Sequence, residues 1–102
     1  MNDPSTAWIE GHIVEEDSEF TLTRLCRATG ASEEQVVLWV SEGALGPHEG
    51  APSAWRFKGL SLCHTRIALR LVNEFEINAP GIALALDLLE EIDLLRARVG
   101  RL

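Results

Sequence analysis

The sequence has few of the residue patterns that carry metal or redox chemistry. Its 102 residues include two cysteines, three histidines and no tyrosine. Zinc sites are usually built from Cys-x-x-Cys or His-x-x-x-His pairs, and neither pair is present. Both cysteines stand in apolar helical patterns, which is typical of buried thiols. We therefore expect no disulfide between the two cysteines. We also expect no metal site from the five possible ligands, His12, Cys26, His48, Cys63 and His64.

The sequence also lacks a catalytic constellation. Cys63 and His64 are adjacent, but neighbouring helical side chains point about 100° apart and do not form a nucleophile and base pair. A phosphate-binding loop needs clustered glycines, whereas Gly43, Gly46 and Gly50 are spread over a turn and a loop. We expect no enzyme activity and no cofactor.

Long apolar runs are missing as well. No stretch approaches the roughly 20 residues that cross a bilayer, and the first 30 residues lack the order of a signal peptide. We expect a cytoplasmic protein without a membrane partner. The length, with 46% hydrophobic and 25% charged residues, fits one small globular domain over residues 1–102.

Basic residues are scarce and unevenly placed. Lysine and arginine number 9 against 16 acids, giving a net charge of -7, and residues 1–19 hold six of the acids and no lysine or arginine. Such a surface repels phosphate backbones and attracts basic partners, with a strength that falls as salt rises. This acidic arm, 1–19, favours a basic protein partner over nucleic acid, although solubility alone would also explain any single acid.

What is present begins with two capped helices. Thr21 can cap a helix from Leu22 to Thr29, which Gly30 ends. Ser32 to Gln35 reads as a capping box that starts a second helix ending near Glu42. The short turn between them predicts a helix-turn-helix.

A wing is predicted after the second helix. Residues 46–53 hold two glycines and two prolines, which favour a loop or hairpin, and residues 55–57 alternate as a short strand would. Another short strand is expected at 11–15. Trp39 and Trp55 are expected in the core.

Two further helices are predicted, about 60–76 and from the Asn78 cap to the end of the chain. The expected buried stripe of the first consists of Leu60, Cys63, Ile67, Leu71 and Phe75. The last helix carries two apolar sets. Ile82, Leu86 and Leu89 should pack on its own domain, while a longer seam with steps of 3 and 4 continues beyond them.

That seam predicts a homodimer. Burying each leucine or isoleucine contributes about 1.5 to 3 kcal/mol, and several such residues from two chains can exceed the roughly 4 to 15 kcal/mol cost of association. The alternative is a monomer whose tail folds back over the helix-turn-helix. The expected dimer interface comprises Leu88, Ile92, Leu95, Val99 and Leu102.

The outer face of the second helix is unsuited to DNA. Projection at 100° per residue places Leu38 opposite the apolar sector, among Glu34 and Glu42. A base-reading helix needs Arg, Lys, Asn or Gln, and basic neighbours for the phosphates. Gln35 is explained by the capping box, so the face suits a basic protein with Leu38 as an apolar anchor.

The arrangement resembles two related families. The order of residues 20–45, the Pro47 loop and WRF at 55–57 resembles the MerR-type winged helix-turn-helix, with Val37, Leu38 and Trp39 where Arg and Tyr are usual. The segments FTLTRLCRATGASEEQ (20–35), WRF and APGIALALDLLEEIDLL (79–95) more closely resemble the CbpM chaperone-modulator family.

The resemblance implies a fold and a function. The fold is mainly α, with a MerR-like winged helix-turn-helix at 20–58 and a two-helix extension at 59–102 whose last helix dimerises. The implied function is inhibition: such modulators cover the J-domain of a DnaJ-like co-chaperone of the curved-DNA-binding type, block its basic helix from Hsp70 and lessen its DNA binding. The resemblance does not supply the contact residues. From charge and helical projection we expect the partner-binding residues to be Glu34, Leu38, Glu42, Asp87, Glu90 and Glu91.

The runner-up hypothesis is a DNA-binding transcriptional regulator of the MerR superfamily. It would have to use Arg24, Arg27, Arg56 and Lys58. A small-ligand or metal sensor is a distant third.

Overall fold

The fold consists of four α-helices and one short 3-10 turn, seen in a computed structural model that describes residues 19–46 and 48–100. Two predictions lie outside the described residues: the short strand at 11–15 and the seam residue Leu102. In chain order the helices are α1 (Leu22–Thr29), α2 (Glu33–Ser41), α3 (Gly59–Phe75) and α4 (Ala79–Gly100), with the 3-10 turn at Pro52–Ala54.

The helix-turn-helix forms where its capping residues predict it. The Thr21 side chain accepts a hydrogen bond from the Arg24 amide, and Gly30 ends α1 with a left-handed φ of 89°. Ser32 and Gln35 form the reciprocal capping box at 3.0 Å in both directions. The prediction of both helices from local signals is confirmed.

The wing contains less strand than the sequence predicts. Among the described residues the only β pairing is an isolated antiparallel bridge between Phe20 and Phe57. The 3-10 turn Pro52–Ala54 comes directly before Trp55, and the Trp55 N–H donates to the Pro52 carbonyl at 3.1 Å rather than to a neighbouring strand. The expected strand at 55–57 is therefore wrong in extent, although its two aromatic residues are buried.

The core lies where α1, α2 and the wing meet α3 and α4. Trp39 is 2% exposed and Trp55 is 8% exposed, which confirms their predicted burial. The Trp55 indole N–H donates to the Gly50 carbonyl at 3.2 Å, so its polar atom is satisfied. His48 lies over both aromatic rings of the wing, with its centroid 4.5 Å from that of Phe57.

The buried face of α3 differs from the predicted stripe. Leu60 and Phe75, at the two ends of that stripe, are 58% and 65% exposed. Ile67 and Leu71, in the middle of that stripe, are half-buried and pack against the core. The fully buried line passes through Gly59, Leu62, Thr65 and Ala68. Small residues here permit close packing of α1 and α4 against α3, whereas apolar periodicity alone did not identify this side of the helix.

The last helix divides its two faces as predicted. Ile82 and Leu86 are buried and Leu89 packs against the core. The Asn78 side chain accepts from the Gly81 amide at 2.9 Å and caps the first turn. Every described residue from Glu90 to Gly100 is exposed, so the second half of α4 extends beyond the core.

Candidate partner-binding surface

The outer face of α2 carries an apolar side chain between two acids. Val36 and Trp39 anchor the inner face at 0% and 2% exposure. On the opposite side Leu38 is 51% exposed, and Glu34 and Glu42 are both exposed. The structure therefore places all three residues at the surface, on the side that the helical projection predicts.

The C-terminal end of α2 carries negative charge. Helix carbonyls give this end a negative partial charge, and a basic residue in the last turn usually offsets it. Here α2 has no basic residue in its last turn, and Glu42 occupies the C-cap. The combined charge favours a cation at this end of the helix.

A cleft connects the end of α2 with α4. It encloses about 350 Å³ between the turn at 43–46, the first two turns of α3 and the middle of α4. Asp87 and Glu90 line it, close to the turn that follows Glu42. Glu91 does not; it lies on an adjoining shallow groove with Leu84 and Leu94. The structure thus brings Asp87 and Glu90 toward the end of α2 and leaves Glu34 at its other end.

His64 is the one basic ring in this cleft. Burial lowers the pKa of His64 below its usual 6.5, and the nearby Glu90 and Asp93 carboxylates oppose that shift. The ring is therefore mostly neutral at pH 7, and the cleft keeps its acidic character.

Two leucines at this surface were not assigned to it from sequence. Leu60, 58% exposed, stands on the rim of the cleft, although apolar periodicity predicts it in the buried stripe of α3. Leu94, 62% exposed, lies beside Glu90 and Glu91. The signal for Leu94 was its helical position one turn after those acids, outside both apolar sets of α4.

The predicted seam on α4 is uncovered in the single chain. Exposure is 51% at Leu88, 41% at Ile92, 56% at Leu95 and 68% at Val99. At its start the seam meets an apolar groove of about 380 Å³ between α3 and α4, which Leu71 and Phe75 line. Contiguous exposed apolar surface of this kind usually marks an interface.

The basic residues that DNA binding would require lie elsewhere. The Arg24 guanidinium is 5.5 Å from the centre of the Phe20 ring, and Lys58 follows the residue that pairs with Phe20. Arg56 donates to the Trp55 carbonyl at 2.8 Å. These three residues gather at the start of α1 and the wing, while the outer face of α2 has none.

The described residues offer little for other chemistry. Cys26 is a free thiol, and burial, with a smaller contribution from Glu33, raises its pKa. A raised pKa disfavours the reactive thiolate. Within 19–46 and 48–100 no three His, Cys, Asp or Glu side chains come together to hold a metal ion, and no helix is both long and apolar enough for a bilayer.

The fold defines the class of protein. A capped helix-turn-helix, a short wing and two further helices are the parts of a MerR-type protein, and the family model described as MerR HTH family regulatory protein matches residues 20–102. The MerR-like, mainly α fold is thereby shown.

Curated relatives narrow the class to one family. The chain is 34% identical over 94 residues to the chaperone modulatory protein CbpM of Coxiella burnetii strain Dugway 5J108-111, covering 92% of this chain and 89% of that protein. It is 42% identical over 77 residues to CbpM of Citrobacter koseri and 40% identical over 77 residues to CbpM of Salmonella arizonae, with 76% of each chain covered. The chain therefore belongs to the CbpM family of chaperone modulatory proteins. Neither family name is that of an enzyme.

Proposed function

We propose that this protein is a non-enzymatic chaperone modulator that binds the J-domain of a DnaJ-like co-chaperone, in the cytoplasm, and inhibits it. The relatives are named chaperone modulatory proteins, which supports a chaperone partner. The J-domain is the expected target because it presents a basic helix, and an acidic competitor for that helix would exclude Hsp70.

One observation carries the proposal. The helix that would enter a DNA groove in a MerR-type regulator displays Leu38 between Glu34 and Glu42, all exposed and without a basic neighbour in its last turn. Carboxylates facing phosphates would be repelled, whereas a cationic helix would be attracted and Leu38 would supply a desolvated contact. Asp87 and Glu90, which line the cleft next to the end of α2, continue the acidic surface onto α4, and Glu91 lies on the adjoining groove.

The proposal includes a homodimer through Leu88, Ile92, Leu95, Val99 and Leu102. The first four are between 41% and 68% exposed in one chain. A second copy of α4 is the natural cover, because the seam keeps the steps of 3 and 4 that match another helix. Asp87 and Glu90 face the cleft toward α2 and stay available to the partner, whereas Glu91 borders the seam residues Leu88 and Leu95.

A two-ligand titration tests the function. The wild-type chain is titrated with an isolated J-domain and, separately, with duplex DNA, each at about 50 mM and 200 mM salt. We expect J-domain binding that weakens as salt rises, and no comparable DNA binding. Replacing Glu34 and Glu42 by lysine should weaken J-domain binding at least 10-fold and flatten its salt dependence.

A matched reversal controls for net charge. Replacing Glu49 and Glu76 by lysine makes the same change in charge at exposed positions away from the outer face of α2. Equal losses in both double variants would show that net charge acts without a site. Unchanged affinity in the first variant would remove α2 from the interface.

The second candidate is a MerR-type DNA-binding regulator. The match to a regulatory-protein family and the grouping of Arg24, Arg56 and Lys58 near the Phe20–Phe57 bridge favour it. The DNA arm of the titration decides between the two functions. DNA binding that falls steeply with salt and is lost in Arg56→Ala, with no J-domain binding, would replace the first proposal.

A further inference from the structure

The cleft between the end of α2, the start of α3 and α4 has the shape and charge of a subsite for one long cationic side chain. Its volume of about 350 Å³ is at the lower end for small-ligand sites. A whole helix, about 10 to 12 Å across, would not enter it. The occupant should therefore be a side chain projecting from a partner bound over the cleft.

The floor and rim of the cleft are apolar. Leu45 and Leu86 are 5% and 2% exposed at its base, and Leu60 stands on its rim at 58% exposure. Lysine and arginine cover such surface with their aliphatic stems while the charged head remains at a polar site. An exposed leucine at this position is explained if a stem lies on it.

The polar lining of the cleft is negative. Asp87 and Glu90 are exposed, and no described residue forms an ion pair with either. The C-terminal end of α2, with Glu42 as its cap, adds the negative end of a helix dipole. Because the described residues contain no group of three metal-ligating side chains, a bound metal ion is not the expected cation.

We propose that this cleft binds one lysine or arginine side chain of the partner, with the stem on Leu60 and the cationic head between Asp87 and Glu90. The inference rests on the proposed function and deepens it. The acidic face of α2 attracts any cationic partner. The subsite would in addition distinguish partners by a single side chain.

His64 provides a reporter inside the cleft. It lines the cleft beside Glu90, whose carboxylate favours the protonated ring, as does Asp93. A bound cation would offset those carboxylates and repel a proton on the imidazole. The pKa of His64, followed by its ring NMR shifts, should therefore fall when the subsite is filled.

The experiment compares variants of the full chain in complex with an isolated J-domain. Asp87→Asn with Glu90→Gln should weaken binding at least 10-fold, and Leu60→Ser should weaken it about 5-fold without altering the net charge. The matched control, Glu49→Gln with Glu76→Gln, removes two exposed acids outside the cleft and should change binding less than 2-fold. The His64 pKa should fall on binding to the wild-type chain.

A peptide arm separates this inference from the proposed function. Triarginine peptide, with tricitrulline as its uncharged counterpart, is added to the isotopically labelled chain. The largest amide shifts should occur at 43–46, Ser61 and His64, with triarginine only. J-domain binding that is equal in the double variant and the wild type, with an unmoved His64 pKa, would overturn the subsite while leaving the modulator function standing. Failure of the J-domain to bind, with triarginine shifts confined to the cleft, would overturn the modulator function and leave the subsite standing.

Discussion

The backbone of Phe20 is joined to the backbone of Phe57 by two hydrogen bonds. The Phe20 N–H donates to the Phe57 carbonyl at 2.7 Å, and the Phe57 N–H donates to the Phe20 carbonyl at 2.8 Å. One residue pair thus fixes the chain entering α1 beside the chain entering α3. Because Phe57 is 1% exposed, this junction is held by core packing as well as by the backbone.

The buried hydroxyl of Thr65 should destabilise the fold. Its Oγ1 is buried without a hydrogen-bond partner. Thr65→Val keeps the shape and removes the unsatisfied group, so the free energy of unfolding should rise by about 1 kcal/mol. Urea denaturation measures the change. Thr29→Val is the control, because its hydroxyl donates to the Leu25 carbonyl at 2.8 Å and its loss should destabilise. The same sign for both variants would contradict the explanation.

Glu76 ends α3 in an unfavourable conformation. It is the one described non-glycine residue with positive φ, at 53°. Glycine adopts this region without the cost to its Cβ, so Glu76→Gly should raise the melting temperature and stabilise by about 0.5 to 1 kcal/mol. Glu76→Gln isolates the contribution of charge. Glu49→Gly is a second control and should destabilise, because Glu49 does not have a positive φ. A Glu76→Gly protein that melts below the wild type would disprove the cost.

The seam on α4 should control oligomeric state. Ile92→Asp puts a charge into the proposed helix pair and should convert a dimer to a monomer, as measured by sedimentation equilibrium. Leu94→Asp is the matched control, since Leu94 is 62% exposed and projects away from the seam. Circular dichroism checks that both variants remain helical. A wild-type chain that sediments as a monomer at about 100 μM would contradict the seam as a dimer interface.

Acid should weaken the fold through His64. Its pKa is lowered in the folded state by burial, so the unfolded chain binds the proton more readily. Stability should therefore be highest above the unfolded value of 6.5 and fall as the pH drops from 6.5 toward the folded pKa. Denaturation midpoints at pH 7.5 and 5.5 measure the loss, and His64→Gln should show a smaller one. Equal losses in the two proteins would assign the effect to other groups.

Structural features that depend on neighbouring residues could be predicted from the sequence better than those that depend on tertiary packing. The caps at Thr21, Ser32 and Asn78 and the two faces of α4 follow from sequence because each depends on residues within one or two turns. The buried side of α3 did not, since Leu62 and Thr65 face the core for reasons set by α1 and α4. A helix with apolar residues on several sides does not show by periodicity which side packs.

The same distinction applies to the candidate site. The exposure of Leu38 followed from projecting a single helix. The cleft did not, because it requires Gly43, Leu60 and Asp87, from three separate segments, to come together. For the same reason the periodicity of α3 predicts Leu60 in the core, whereas the packed structure places it on the rim of the cleft.

The acid at the end of α2 has a consequence for the protein when it is alone. Glu42 repels the carbonyl dipoles of its own helix, an opposition worth roughly 0.3 to 1 kcal/mol near a surface. A bound cationic group at that end would offset this unfavourable charge–dipole interaction. The unbound protein should therefore be less stable to heat, and binding of a cationic partner should be measurable as a rise in its melting temperature.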